Sequence, residues 1–296
     1  MIYDGLTSGP PFKMAKPSDV PVSKMKTQRI NVVEMTTPQH KCSDGTPYHF
    51  LAIPSSKPAL QKNKLFIEFG PGGACFDHHT CAMTFPPYAD GWYVQSKLLN
   101  KMSKVVHGQK PNVFEKFPFA YIAPKDSPVY DWPYVQAVYC TSDLHLGSQK
   151  HDYGEGLTIT HGGAINAAVT LDWTKTQFVQ DPEEIIVKGG SAGGVASIQW
   201  GLRIAEMYPR AKVRIITDGG VNVIPGSQMW HSFFNRIGPM WGYPNNHLTI
   251  EGHPQQYDDF NNMLLHQLKK NDGRVSLSFI EYTHDAQEHK FETNLF

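Results

Sequence analysis

The sequence predicts an α/β fold, with a mostly parallel central sheet flanked by helices. Three observations predict it. A short run rich in β-branched residues, Glu184 to Val187, leads into four glycines in six positions and then into apolar residues at helical spacing. Other short β-branched or aromatic runs end in polar or glycine-bearing loops, with helical periodicity between some of them. The 296 residues suffice to bury a large core, and α/β folds of this size are often one domain, so residues 1–296 are read as a single domain.

Composition removes several function classes. The formal net charge is zero and only 18% of residues are charged, which gives no basis for nucleic-acid or anionic-membrane binding. No apolar run reaches the roughly 18 residues that a transmembrane helix needs. The start, Met1-Ile2-Tyr3-Asp4-Gly5, lacks the basic and apolar regions of a secretory signal. The four cysteines, Cys42, Cys75, Cys81 and Cys140, fit either two disulfides in an oxidising compartment or free buried thiols. Cys75 and Cys81 do not have the C-x-x-C spacing of a zinc ribbon.

In chain order, residues 1–27 are rich in Pro, Ser and Lys without periodicity and read as an extended arm. Gln28–Met35 and Tyr48–Ile53 read as strands of an opening hairpin, joined by the turn-prone Ser43-Asp44-Gly45-Thr46-Pro47. Lys64–Phe69 is the next strand and runs into Gly70-Pro71-Gly72-Gly73-Ala74. Small residues there let backbone N–H groups face a substrate, so Gly72 and Gly73 are candidate oxyanion donors. Residues 77–125 turn irregular and read as an insertion over the site, whose aromatics can either line a pocket or pack onto the sheet. His78-His79 beside Asp77 invites a metal reading, but no further ligand stands at recognisable spacing, so no metal is assigned.

Tyr134–Tyr139 reads as a buried strand. Asp143 and His145, just beyond its end, are candidates for the edge of the site, although residues of this kind more often tie down a loop. His161-Gly162-Gly163-Ala164 opens a helix carrying Ile165, Val169 and Trp173 on one face, which returns the chain for a right-handed crossover. Lys212–Thr217 is a further strand ending at Asp218. A Trp- and Pro-bearing region follows, then a helix over Gln255–Lys270 and a last strand over Val275–Tyr282.

The most specific pattern is Gly189-x-Ser191-x-Gly193 between a strand and a helix. In such a nucleophile elbow the serine sits on a strained turn, and glycines two positions away let strand and helix approach. The helix beyond, with Val195, Ile198, Leu202 and Ala205, points its free N–H groups and positive dipole end at the reacting carbonyl. Ala192, next to the nucleophile, is a third oxyanion donor.

Five stretches in order give the chain a resemblance to the pectin acetylesterase family of serine hydrolases, which includes Notum-type protein deacylases. They are Cys42–Pro47, Phe66–Cys81, Tyr139–Asp143, His161–Asn166 and Gly190–Gly194, with Asp285-Ala286-Gln287 a weaker sixth. The glycine loop departs from the family pattern by placing Pro71 where a glycine is usual. The resemblance implies an α/β-hydrolase-like fold, Ser191 as nucleophile, Gly72, Gly73 and Ala192 as oxyanion donors, and Asp285 as the triad acid. It also implies secretion and the disulfides Cys75–Cys81 and Cys42–Cys140.

The family's histidine follows the acid by tens of residues, whereas only His289 lies beyond Asp285 here. The expectation is therefore that one more strand and the catalytic histidine lie beyond Phe296. The alternative uses Asp218 as acid with His284 or His289 as base. The function expected is a serine carboxylic ester hydrolase, without cofactor, that deacetylates a polysaccharide such as pectin. The alternatives are a deacylase removing a fatty acyl group from a protein, and a non-catalytic hydrolase-fold binding protein. The oligomeric state is not legible.

Overall fold

The computed structural model of the chain describes residues 22–35, 37–84, 126–219, 228–243, 268–271, 273–282 and 284. A seven-stranded sheet, ordered β1-β2-β4-β3-β7-β8-β9, forms its centre. β1 (Asn31–Glu34) and β2 (His49–Ile53) make the opening antiparallel hairpin, and β2 also pairs antiparallel with β4 (Tyr134–Ala137). From β4 onward every pairing is parallel, through β3 (Lys64–Phe69), β7 (Glu184–Gly190), β8 (Lys212–Asp218) and β9 (Val275–Ile280). The fold is thus α/β-hydrolase-like, with a mostly parallel sheet flanked by helices.

Parallel pairing demands crossovers that cover the faces, and the helices supply them. α3 (Gly163–Trp173) lies between β4 and β7 in sequence, and α4 (Ala192–Met207) between β7 and β8. α4 carries 13 buried residues, among them Trp200, which stacks on Phe69 with centroids 6.3 Å apart. Trp173 at the end of α3 meets Phe50 edge-on at 5.0 Å and stacks on Phe178 at 5.3 Å. Phe50 and Phe69 both lie level with Ala137 across the register, so these rings bury a large apolar area on one face of the sheet. Two disulfides tie the upper end: Cys42–Cys140 joins the hairpin loop to the segment after β4, and Cys75–Cys81 joins the glycine loop to α2 (His78–Thr84).

Several elements differ from the sequence reading. A short α1 (Pro58–Asn63) precedes β3, and α2 gives regular structure to the start of the stretch read as irregular. The rest of that stretch, 85–125, and residues 1–21 lie outside the described residues. A hairpin of β5 (Gln149–Asp152) and β6 (Thr158–His161) forms a separate two-stranded sheet that the sequence did not suggest. The Trp- and Pro-bearing region contains a helix, α5 (Gln228–Trp241), with Pro239 inside its last turn. Of the helix expected over Gln255–Lys270, only residues 268–270 are described.

Candidate active site

The parallel order places the ends of β3 and β7 side by side, with Phe69 opposite Gly189. Ligand sites of α/β sheets lie off these carboxyl ends. Ser191 follows β7 directly, with φ 51° and ψ −119°, a backbone conformation that a non-glycine residue adopts only under strain of about 1–3 kcal/mol. Surrounding bonds fix it there. Its N–H donates to Asp218 O (2.8 Å), and its own carbonyl accepts from Gly194 N (2.8 Å) and Val195 N (3.2 Å).

The flanking glycines are required by close approach. A Cβ on Gly189 would lie 1.9 Å from Gly193 O, and one on Gly193 would lie 2.1 Å from Phe69 O. No side chain fits either gap. Serine at a helix N-cap ordinarily spends its hydroxyl on the first free N–H groups of the helix. Ser191 occupies the N-cap of α4 and makes no such bond, and the residue is exposed.

The first amides of a helix have no intrahelical acceptor, and Ala192 is the first residue of α4. Among the described residues, the N–H groups of Gly72, Gly73 and Ala192 make no hydrogen bond. Gly72 and Gly73 belong to the loop after β3, which the first turn of α4 touches: the Cβ position of Gly193 is also 2.9 Å from Gly70 O. The exposed Ser191 thus lies on a turn whose next residues pack against the loop that carries the unpaired Gly72 and Gly73 amides.

The glycine loop is held from its other side by the segment after β4. Tyr139 donates its hydroxyl proton to Gly73 O (2.5 Å) and accepts from Leu144 N (2.9 Å), and Cys75 N donates to Ser142 O (3.0 Å). His145 donates from Nε2 to Gly70 O (3.0 Å), and Trp200 Nε1 donates to His145 O (3.0 Å). Ser142, Leu144 and His145 all have φ between 52° and 60°. So folded a segment costs strain, which its many bonds offset.

Asp143 and His145 are corrected accordingly: neither reaches a ligand, because both are buried and bonded within the fold. Asp143 accepts from Thr141 Oγ1 (2.6 Å), His145 N (3.1 Å) and Gly163 N (2.7 Å), so its carboxylate seats the N-terminus of α3. A Cβ on Gly163 would lie 2.2 Å from Asp143 Oδ1, which accounts for the glycine there. Burial pushes the Asp143 carboxyl up to about 6 against the pull of its donors. Burial likewise lowers His145 to about 4, so its ring is neutral and its Nε2 proton is committed to Gly70. His161 is lowered by burial to about 3; it donates from Nδ1 to Thr141 O (3.1 Å) and accepts from the Tyr153 hydroxyl (2.8 Å).

Asp218, the alternative acid, ends β8 beside the elbow. Its carboxylate lies 3.7 Å from Lys188 Nζ, while its carbonyl holds the Ser191 amide. His284 is exposed in the turn after β9. Asp285 and His289 lie outside the described residues. His78 lies 3.5 Å from Glu155 on the β5–β6 turn. Sequence reasoning missed Tyr139, Trp200 and Trp241 as supports of the site; Trp241 Nε1 donates to Cys75 O (2.9 Å) across 166 residues, a separation that leaves no local signal.

Residues 22–249 match the family model described as pectinacetylesterase. The matched stretch includes Ser191, Ala192, Gly72, Gly73, Asp218 and all four cysteines, and Asp285 falls beyond it. No curated protein matches the chain.

Proposed function

Because the chain belongs to the pectinacetylesterase family, we propose that it is a serine carboxylic ester hydrolase that removes acetyl groups from a polysaccharide such as pectin. The observation that carries this reading is the Ser191 turn, whose strained backbone leaves the hydroxyl exposed and unspent on capping. Ser191 Oγ attacks the acetyl carbonyl, and its proton passes to a histidine base. The oxyanion that forms is held by the amides of Gly72, Gly73 and Ala192. Collapse of the tetrahedral intermediate breaks the bond to the sugar oxygen, which leaves with the proton. Water, deprotonated by the same base, then releases acetate and restores the serine.

Asp285, beyond the end of β9, is the acid that orients the base in this reading. His145 and His161 do not serve as the base, since both are buried and committed to backbone carbonyls. The two disulfides are compatible with an oxidising, extracellular setting, where an acetylated cell-wall polysaccharide is met.

Acetate release from acetylated pectin tests the proposal. Ser191→Ala is expected to lower the rate by at least about 10³-fold while leaving the fold intact. Undiminished release by that variant contradicts it. Aryl acetate is expected to be cleaved faster than aryl palmitate; the opposite preference favours fatty deacylation.

A further inference from the structure

Tyr139 lies across the glycine loop from Ser191. It extends from the segment after β4, the loop follows β3, the elbow follows β7, and β3 lies between β4 and β7 in the sheet. We propose that Tyr139 is a positioning residue that sets the peptide orientation of the oxyanion loop and thereby the rate of the acyl-transfer step. The inference rests on the esterase reading of the site and adds to it a residue that does not touch the reacting atoms.

Two contacts carry it. The first is the hydroxyl, which gives its proton to Gly73 O at 2.5 Å and is itself held by Leu144 N at 2.9 Å. In a trans peptide the C=O and the following N–H point in opposite directions. Fixing the Gly73 carbonyl toward Tyr139 therefore stops the Gly73–Ala74 peptide from flipping and limits rotation about Gly73, the residue whose own N–H is a donor. The second contact is the ring. A Cβ on Gly72 would lie 2.1 Å from Tyr139 Cδ1 and 2.4 Å from Cε1, so the Gly72 backbone rests directly against the Cδ1–Cε1 edge of the ring.

Glycines would otherwise leave this loop free to sample many conformations. Preorganised donors stabilise a transition state because they need no rearrangement as charge develops. The support is itself rigid: Tyr139 is buried, its ring packs on His145 with centroids 4.7 Å apart, and His145 in turn holds Gly70 O. The loop is thus gripped at Gly70, Gly72, Gly73 and Cys75 from the side away from Ser191.

The test is Tyr139→Phe, which keeps the ring and removes the hydroxyl. Its kcat for aryl acetate is expected to fall about tenfold to a hundredfold, somewhat less than the loss of a whole oxyanion donor, about 10²–10³. KM is expected to stay within about threefold, and affinity for phenylboronic acid, whose serine adduct is tetrahedral, to fall by the same factor as kcat/KM. A merely structural role would not separate boronate affinity from KM. Gly72→Ala, which drives the loop off the ring, is expected to show the same signature, and the double variant to be no worse than the poorer single one.

A Tyr139→Phe enzyme with kcat within about twofold of the parent overturns the proposal, as do additive losses in the double variant. If Tyr139→Phe does not fold, Gly72→Ala decides: unchanged kcat and boronate affinity overturn it. Ser191→Ala separates the two levels. If that variant keeps its activity, the esterase reading fails; if it is inactive while Tyr139→Phe is unimpaired, only the positioning role fails.

Discussion

Gly189 and Gly193 approach so closely across the Ser191 turn that a methyl on the first would lie 1.9 Å from the carbonyl oxygen of the second. Backbone cannot yield there without separating β7 from α4. Gly189→Ala is therefore expected to cost more than about 4 kcal/mol or to prevent folding. Gly190 is the internal control, because its nearest contact would be Asp218 O at an ordinary 3.7 Å. Gly190→Ala is expected to change stability by less than about 1 kcal/mol. Urea denaturation of the two variants checks this, and equal stability would show that the elbow is looser than described.

Acid is expected to destabilise the fold, starting near pH 6.5. Burial depresses His145 to about 4 and His161 to about 3, so below pH 6.5 the unfolded chain takes up protons that the folded chain refuses. Their contribution is present above pH 6.5 and is lost as pH falls toward 4. Asp143 acts in the opposite sense: raised by burial to about 6, it favours the folded state below its unfolded value of 3.8 and loses that contribution as pH rises through 6. Two imidazoles outweigh one carboxyl, so the net slope follows the histidines. The urea midpoint is expected to be lower at pH 4.5 than at pH 7.5, with a shallower dependence in His161→Gln. A midpoint that is flat or rises on acidification contradicts the assignment.

The two disulfides are expected to matter differently. Cys42 and Cys140 are 98 residues apart, and closing so long a loop stabilises by roughly 4–5 kcal/mol in the chain-entropy account. Cys75 and Cys81 are 6 apart, for which the same account gives about 2 kcal/mol. Paired alanine variants at 42 and 140 are expected to lose more stability than those at 75 and 81. The shorter bridge ends in the glycine loop after β3, so if that loop supplies the oxyanion donors proposed above, its removal is expected to reduce kcat more than stability. Chemical denaturation and steady-state kinetics on the two variants check both orders.

Most of the sheet was legible because its strands are short runs of β-branched and aromatic residues, and β2, β3, β4, β7, β8 and β9 lie within two residues of the expected bounds apart from the extension of β7 to Gly190. The elbow was legible from glycine spacing, since its glycines answer a local steric demand. The β5–β6 hairpin was not, because Gln149-Lys150-His151-Asp152 carries no apolar alternation and is mostly exposed. α5 was hidden by Gly238 and Pro239 near its end, both helix-breaking by propensity. Asp143 and His145 looked like site residues because polar groups off a strand end often are. Their partners, Gly163 N and Gly70 O, are 20 and 75 residues away and invisible to local reading. Tyr139 was missed for the same reason, its bond to Gly73 spanning 66 residues.

The two candidate acids make opposite forecasts. With Asp285 in the triad, Asp285→Asn is expected to lower kcat by about 10⁴-fold through the wrong histidine tautomer. Asp218→Asn keeps the backbone carbonyl that holds the Ser191 amide and disturbs only the pairing with Lys188, so its kcat is expected to stay within about tenfold. Steady-state kinetics that reverse this order would move the acid to the end of β8.

The most direct measurement is to treat the protein with a fluorophosphonate and locate the adduct by peptide mass spectrometry. One phosphonylated residue, Ser191, is expected, with acetate release lost in proportion to labelling. Acetate release that persists with Ser191 unlabelled, or with the adduct on another residue, would contradict it.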